Sequence, residues 1–161
     1  MKIEPFTVKQ FREHIKYIER LIDKTAELET MAKKGTVDRI GEDNIPGNLM
    51  DFHNIPGNKI AVAHDGQRHE FRPPVELIAK AVNYSRARQE LHQVVAEQLN
   101  KRLKPAQWED TKEIGRVERM IVAEKSQKVA SLLVQRKEIE TGYRSFLLQH
   151  YNKILGRTSG R

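Results

Sequence analysis

No cysteine occurs in the 161 residues. That excludes disulfide staples, thiol catalysis and thiolate metal sites, and it leaves histidine and carboxylates as the side-chain metal ligands. Aromatic residues make up 6% of the chain, with a single tryptophan, against 32% charged residues. This balance is nearer to long solvated helices than to an average globule. No apolar run approaches the roughly 18 residues of a membrane span, and the opening MKIEPFTVKQF lacks the apolar stretch of a signal peptide. A soluble protein without membrane association is expected, located in the cytoplasm or another intracellular setting, or within a virus particle. What is present suffices to fold. Leu, Ile, Val and Phe number 12, 13, 11 and 5, about a quarter of the chain and above the one-fifth below which disorder sets in. The length suits one domain.

Helical signals dominate. Thr7 is a natural N-cap, Gln10 completes a capping box, and Phe6 is placed to pack on Phe11 as a hydrophobic staple. Val8, Phe11, Ile15, Ile18 and Ile22 follow alternating three- and four-residue steps, and Leu21, Leu28 and Met31 carry a slightly rotated stripe onward. Lys33 and Lys34 suit the C-terminal carbonyls, and Gly35 suits a left-handed cap. A helix is predicted over 7–34. A second, over 75–104, follows Pro73-Pro74 and stops at Pro105. A third, over 110–155, starts at Asp110 with Glu113 three residues on. Its stripe shifts register across Glu124-Lys-Ser-Gln-Lys128, the mark of a stutter or kink, and Thr141-Gly142 is a second weak point.

Between the first two helices lies an irregular insert, 36–73. Asn44-Ile45-Pro46-Gly47-Asn48 recurs as Asn54-Ile55-Pro56-Gly57-Asn58, and Pro-Gly at the central positions favours two type II turns. Lys59–His64, Asp65-Gly66 and Gln67–Arg72 then read as a β-hairpin with a two-residue turn. In that register Ile60, Val62, His64, Gln67, His69 and Phe71 share one face. A lone hairpin is marginal in water, so its apolar face must dock on the helices or its edge must pair with another chain. The expected fold is mainly α: long helices in a coiled-coil-like bundle, with the turn-rich loop and a hairpin at about 59–72 inserted. One unit spans 1–155, and 156–161 form a flexible basic tail.

Helices of about 28, 30 and 45 residues do not match in length, the longest being roughly 67 Å if unbroken. The overhang is expected to leave an apolar stretch uncovered, and large exposed apolar patches mark interfaces. Tyr143, Phe146 and Leu147, with Ile60, Val62 and Phe71 of the hairpin, are therefore the candidate partner-binding residues. The partner is a second copy or another protein of a larger assembly, such as a phage particle.

The net charge of +7 is unevenly placed. Residues 36–74 are net −2, whereas 75–104 are net +3 and 105–161 net +4. The second-half cations Arg86, Arg88, Lys101, Arg102, Lys104, Lys112, Arg116, Arg119, Lys125, Lys128, Arg136 and Lys137 are candidates for a sequence-tolerant surface on DNA or RNA phosphates. Neither helix-turn-helix spacing nor an RNP-type aromatic strand accompanies them.

Catalytic patterns are sparse. The chain has no phosphate-cradling glycine loop, no GxSxG and no HExxH. His53, His64 and His69, with Asp51 nearby, are the weaker candidates for a metal site, the third reading being a small metal-dependent enzyme. No cofactor is expected. The leading expectation is a non-catalytic structural or assembly protein that uses its helices to associate and its loop and hairpin to recognise. The alternative is a nucleic-acid-binding protein.

Overall fold

The computed structural model describes residues 4–37 and 59–156; the Asn-Ile-Pro-Gly-Asn repeat, Asp51, His53 and the basic tail 157–161 lie outside the described residues. The chain enters through a two-residue strand β1 (Phe6–Thr7) and turns directly into α1 (Val8–Lys33). Thr7 closes the expected capping box: the Gln10 N–H donates to Thr7 Oγ1 at 3.1 Å and the Thr7 N–H donates to Gln10 Oε1 at 3.0 Å. The helix stops as its sequence requires. Gly35 adopts φ +71°, its N–H reaches the Ala32 carbonyl at 3.0 Å, and the Thr36 N–H reaches that of Met31 at 2.9 Å. Those two bonds satisfy carbonyls that the last turn would otherwise orphan.

The hairpin forms in the expected register. Strands β2 (Ile60–His64) and β3 (Gln67–Phe71) pair Ile60 with Phe71, Val62 with His69 and His64 with Gln67. Asp65 and Gly66 both adopt positive φ, +51° and +73°, the signature of a type I′ turn whose twist matches the strands. Pairing with β1 was not anticipated. Phe6 and Thr7 lie parallel to Val62 and Ala63, so the sheet has three strands in the order β1-β2-β3. Two residues carry too little periodicity to announce a strand; only the docked hairpin makes one of them.

Helices α2 (Val75–Arg102), α3 (Thr111–Glu124) and α4 (Ser126–Ile154) complete the fold, with a 3-10 helix at Pro105–Glu109 before α3. The expected long helix therefore breaks at Lys125, within the predicted polar stretch, and not at Gly142. The break is slight. Lys125 has φ −100° and ψ 18°, its N–H still reaches the Ile121 carbonyl at 3.1 Å, and its carbonyl accepts from Val129 N at 3.0 Å. Helices α3 and α4 thus form one kinked rod. Gly142 sits inside α4, where a Cβ would lie 3.1 Å from Leu77 Cδ1; it is a point of close approach by α2.

Both other long helices run antiparallel to this rod. Along α1, Arg12, His14, Glu19, Thr25 and Glu29 meet Tyr151, Tyr143, Arg144, Glu140 and Lys137. Along α2, Leu77 lies by Gly142, and Leu91 and Val94 share a groove with Leu132 and Lys128. Arg102 meets Glu124. The bundle consequently thins in steps. Among the described residues, α1 and α2 flank the C-terminal half of α4, α2 alone accompanies its start, and the N-terminal part of α3 reaches beyond α2 with only the connection 103–110 beside it.

This stagger corrects the expectation of an uncovered stretch. Tyr143, Phe146 and Leu147 are 2%, 6% and 0% exposed, and Ile60, Val62 and Phe71 are buried with them in one continuous core. Their apolar surface is covered by the chain's own α1, α2 and sheet. All six are core residues, so the exposure on which a partner-binding role rested is absent. Met31, placed on the apolar stripe by its spacing, is exposed instead. The buried register of α1 passes through Thr25 and Glu29.

Gly142→Val forces a branched side chain against Leu77 and is expected to destabilise the fold by about 2 kcal/mol. Urea unfolding monitored by far-UV circular dichroism measures it; an unchanged midpoint would show that α2 does not rest on Gly142.

Candidate docking site at the end of the rod

The thin end of the rod is built by a sequence of local constraints. Pro105 disfavours helical geometry in the residue before it, and Lys104 is extended at φ −78°, ψ 155°. Leu103 is buried and anchors the departing chain. Gln107 Oε1 then accepts the Lys104 N–H at 2.7 Å, which holds the 3-10 turn closed. Asp110 caps α3, its Oδ1 accepting from the N–H groups of Lys112 at 3.1 Å and Glu113 at 3.2 Å. This is the predicted start. Glu113, however, bonds Arg116 and does not reach back to complete a capping box.

Two large apolar side chains stay in water here. Trp108 is 43% and Met120 48% exposed, and Arg116 Nη1 lies 3.4 Å from Met120 Sδ. Four cations of the same region, Lys101, Lys104, Lys112 and Arg119, are exposed and have no ion pair among the described residues. Exposed apolar side chains and exposed cations in the same stretch, 101–120, join contact area to charge. Trp108 was legible only as a residue outside a helix cap. Its exposure depends on α2 ending where it does.

Of the remaining predicted cations, four are paired with acids and one of these is buried. Arg136 is 3% exposed, and its Nε lies 3.3 Å from Glu140 Oε2; it belongs to the core and is withdrawn from any phosphate-binding set. Lys137 bonds Glu29 at 2.8 Å, Arg102 holds Glu124 through two bonds of 3.0 and 2.6 Å, and Arg116 holds Glu113. Lys128 borders the groove between α2 and α4, about 290 Å³ in volume and shared with Glu90 and Gln135. Arg86 is exposed on α2, Arg88 is half-buried, and Lys125 is the half-buried residue of the kink.

The buried polar groups follow one logic. Thr25 Oγ1 lies 2.6 Å from Glu140 Oε1 and 2.8 Å from the Leu21 carbonyl. Glu140 is 1% exposed, and burial pushes its carboxyl above the ordinary range, against the pull of Arg136 and Thr25. Glu29 moves the other way, because Lys137 and Lys33 both bond it. His14, stacked on Phe6 at 5.2 Å, has its Nε2 3.1 Å from Tyr143 Oη. Burial holds this imidazole down at about 4 and raises the Tyr143 phenol.

Among the described residues no three histidine or carboxylate groups gather as a metal site. His64 Nε2 lies 3.3 Å from the Asp65 carboxylate. His69 borders a groove with Phe71, His150 and Lys153. His150 stacks flat on Phe71, ring centroids 4.1 Å apart, and burial lowers its pKa, with Lys153 adding to the effect. No helix among the described residues is long and apolar enough to cross a membrane. Comparison with protein-family models, curated proteins and solved structures returns no match.

Two outcomes follow. Arg136→Ala strands Glu140 in the core and is expected to cost about 3 kcal/mol, whereas Arg136→Met with Glu140→Leu stays within about 1 kcal/mol of the parent or exceeds it. Equal losses in the two variants, by chemical denaturation, would contradict a pair retained at a desolvation cost. His14 has a folded pKa below its unfolded value of 6.5, so the unfolded state binds a proton first as pH falls. Its contribution to stability is whole above 6.5 and is lost on descending towards 4. Between pH 7.5 and pH 5 the parent should lose about 2 kcal/mol more than His14→Gln. Parallel losses in the two proteins would refute the assignment.

Proposed function

We propose that the protein is a non-catalytic structural or assembly component that docks on a partner protein through the thin end of its helical rod. The observation that carries this reading is the exposure of Trp108 and Met120 where the chain's own helices stop short. Tyr17, Met31, Val75 and Val82 are also exposed on the helices, but Trp108 is the largest apolar side chain among the exposed ones, so intermolecular burial has most to gain at this end. A multicomponent particle is the kind of setting in which a rod with one sticky end is useful.

A second reading draws on the four exposed cations of the stretch 101–119 that holds Trp108. A single-stranded nucleic acid could stack a base on the indole and run its phosphates past Lys101, Lys104, Lys112 and Arg119, with little preference for sequence.

The test is recovery of the native partner with tagged protein from its own cells. Trp108→Ser combined with Met120→Ser should keep the circular dichroism spectrum and reduce stoichiometric recovery by about 30-fold, the scale of a lost aromatic anchor. Val75→Ser, at an exposed valine away from this end, should not. Undiminished recovery with the double variant would refute the docking site. Retention of single-stranded DNA at low salt, falling steeply by 200 mM and lost in the double variant, would move the assignment to the second reading.

A further inference from the structure

We infer that β3 is a self-complementary edge at which two copies of this chain pair antiparallel, joining their three-stranded sheets into one of six strands. This contact is separate from the rod end and does not rest on the docking reading above.

Strand β3 is the last in the order β1-β2-β3, and among the described residues no strand lies on its outer side. The phase of its outward groups follows from the turn. In a two-residue type I′ hairpin the residues flanking the turn exchange both backbone hydrogen bonds, and such pairs alternate along the ladder. His64–Gln67, Val62–His69 and Ile60–Phe71 are therefore the bonded pairs of the β2–β3 register. Arg68 and Glu70 aim their N–H and C=O groups away from β2, and both side chains are exposed.

A second β3 running antiparallel must set outward-aimed residues opposite one another if the edge groups are to bond. Three registers do so near the strand's centre. One places Arg68 opposite the partner's Arg68, and another places Glu70 opposite the partner's Glu70; like charges directly opposed across strands are destabilising. The third, centred on His69, sets Arg68 opposite the partner's Glu70 and, by the twofold, Glu70 opposite the partner's Arg68. All four outward N–H and C=O sets of these residues are then matched, and both cross-strand pairs join unlike charges. This is an isologous contact that closes on itself as a dimer.

The charges are already organised along the strand. Glu70 Oε1 takes Arg68 Nε at 2.7 Å and Glu70 Oε2 takes Lys59 Nζ at 2.6 Å. The twofold brings two such groups together with their unlike ends apposed. An exposed strand edge is a template for pairing unless it is blunted by proline, a bulge or repulsive charge. Residues 67–71 contain no proline and pair with β2 without a bulge, and their two charged residues repel only in the competing registers.

Sedimentation of the full chain over a concentration series tests this. The parent should show a reversible monomer–dimer equilibrium. Arg68→Glu and Glu70→Arg should each raise the dissociation constant at least tenfold, since each makes the edge uniformly charged. The two single variants mixed in equal amounts should recover dimer as a heterodimer, and the double exchange Arg68→Glu with Glu70→Arg should recover it alone. Circular dichroism spectra of the exposed-site variants should match the parent. A parent that stays monomeric to about 1 mM overturns the inference, as does dimerisation unaffected by either charge reversal. Self-association abolished by the Trp108/Met120 double variant and untouched by the reversals also overturns it, since it assigns the contact to the rod end. Failure to capture a partner at the rod end leaves these readouts unchanged.

Discussion

The aromatic packing around Phe11 is the contact on which the rest of the architecture depends. Its ring lies 5.8 Å from Phe71, 6.0 Å from Tyr151 and 6.2 Å from Phe6. Phe71 in turn meets Phe146 at 5.6 Å and His150 at 4.1 Å. Four distant pieces of chain are thereby joined: β1, the first turn of α1, β3 and the last turns of α4. A hairpin of two five-residue strands has too little core of its own to persist in water. Here the sheet face is closed by helices, and the sheet in turn closes the end of the α1–α4 pair. Because aromatic side chains bury large areas and prefer tilted or offset rings, the cluster also sets how far α4 can slide along α1.

Once that end is fixed, the unequal helix lengths must be absorbed at the other. The rod of α3 and α4 outruns α1 first and α2 second, so among the described residues its cover falls from two helices to one and then to an extended connection. The kink at Lys125 comes within the stretch accompanied by α2, and the bidentate Arg102–Glu124 pair lies beside it. Only beyond that point do a tryptophan and a methionine stay exposed together. The separation of a closed, sheet-bearing end from a thin end with an exposed tryptophan and methionine is a direct result of the stagger. The proposed docking and the proposed edge pairing sit on these two ends and do not compete for surface.

Polar residues in the core show where periodicity can mislead. On α1 the buried register continues from Ile18 through Thr25 and Glu29 to Ala32, and on α4 it runs Val129, Leu133, Arg136, Glu140, Tyr143, Leu147. A search for apolar side chains passes over Thr25, Glu29, Arg136 and Glu140, and assigns the last two to solvent. The step pattern of four and three residues nevertheless passes through all of them. Thr25 meets Glu140, and Glu29 meets Lys137, on another helix and more than a hundred residues away, whereas Arg136 meets Glu140 four residues on. Satisfaction of the cross-helix groups is therefore a tertiary fact. The same is true of His14, whose place in the stripe between Phe11 and Ile18 was visible but whose tyrosine partner was not.

Local chemistry was therefore readable from the chain alone: the capping box at Thr7, the left-handed Gly35, the Asp-Gly hairpin with its register, the stops at Pro73 and Pro105, the cap at Asp110 and the weak point near Lys125. Each is decided by residues within a few positions of one another, where backbone sterics and neighbouring donors act without help. Helix existence was readable for the same reason. Tertiary structure decided which apolar faces remain open, which cations are free of an acid, and that Phe6-Thr7 becomes a strand. These depend on how far one helix is displaced along another, a quantity set by the packing of Phe11, Phe71, Phe146 and Tyr151 together and encoded at no single position. The missing cysteines make that packing matter more. With no covalent staple available, side-chain contacts and hydrogen bonds must hold the described helices and sheet in register.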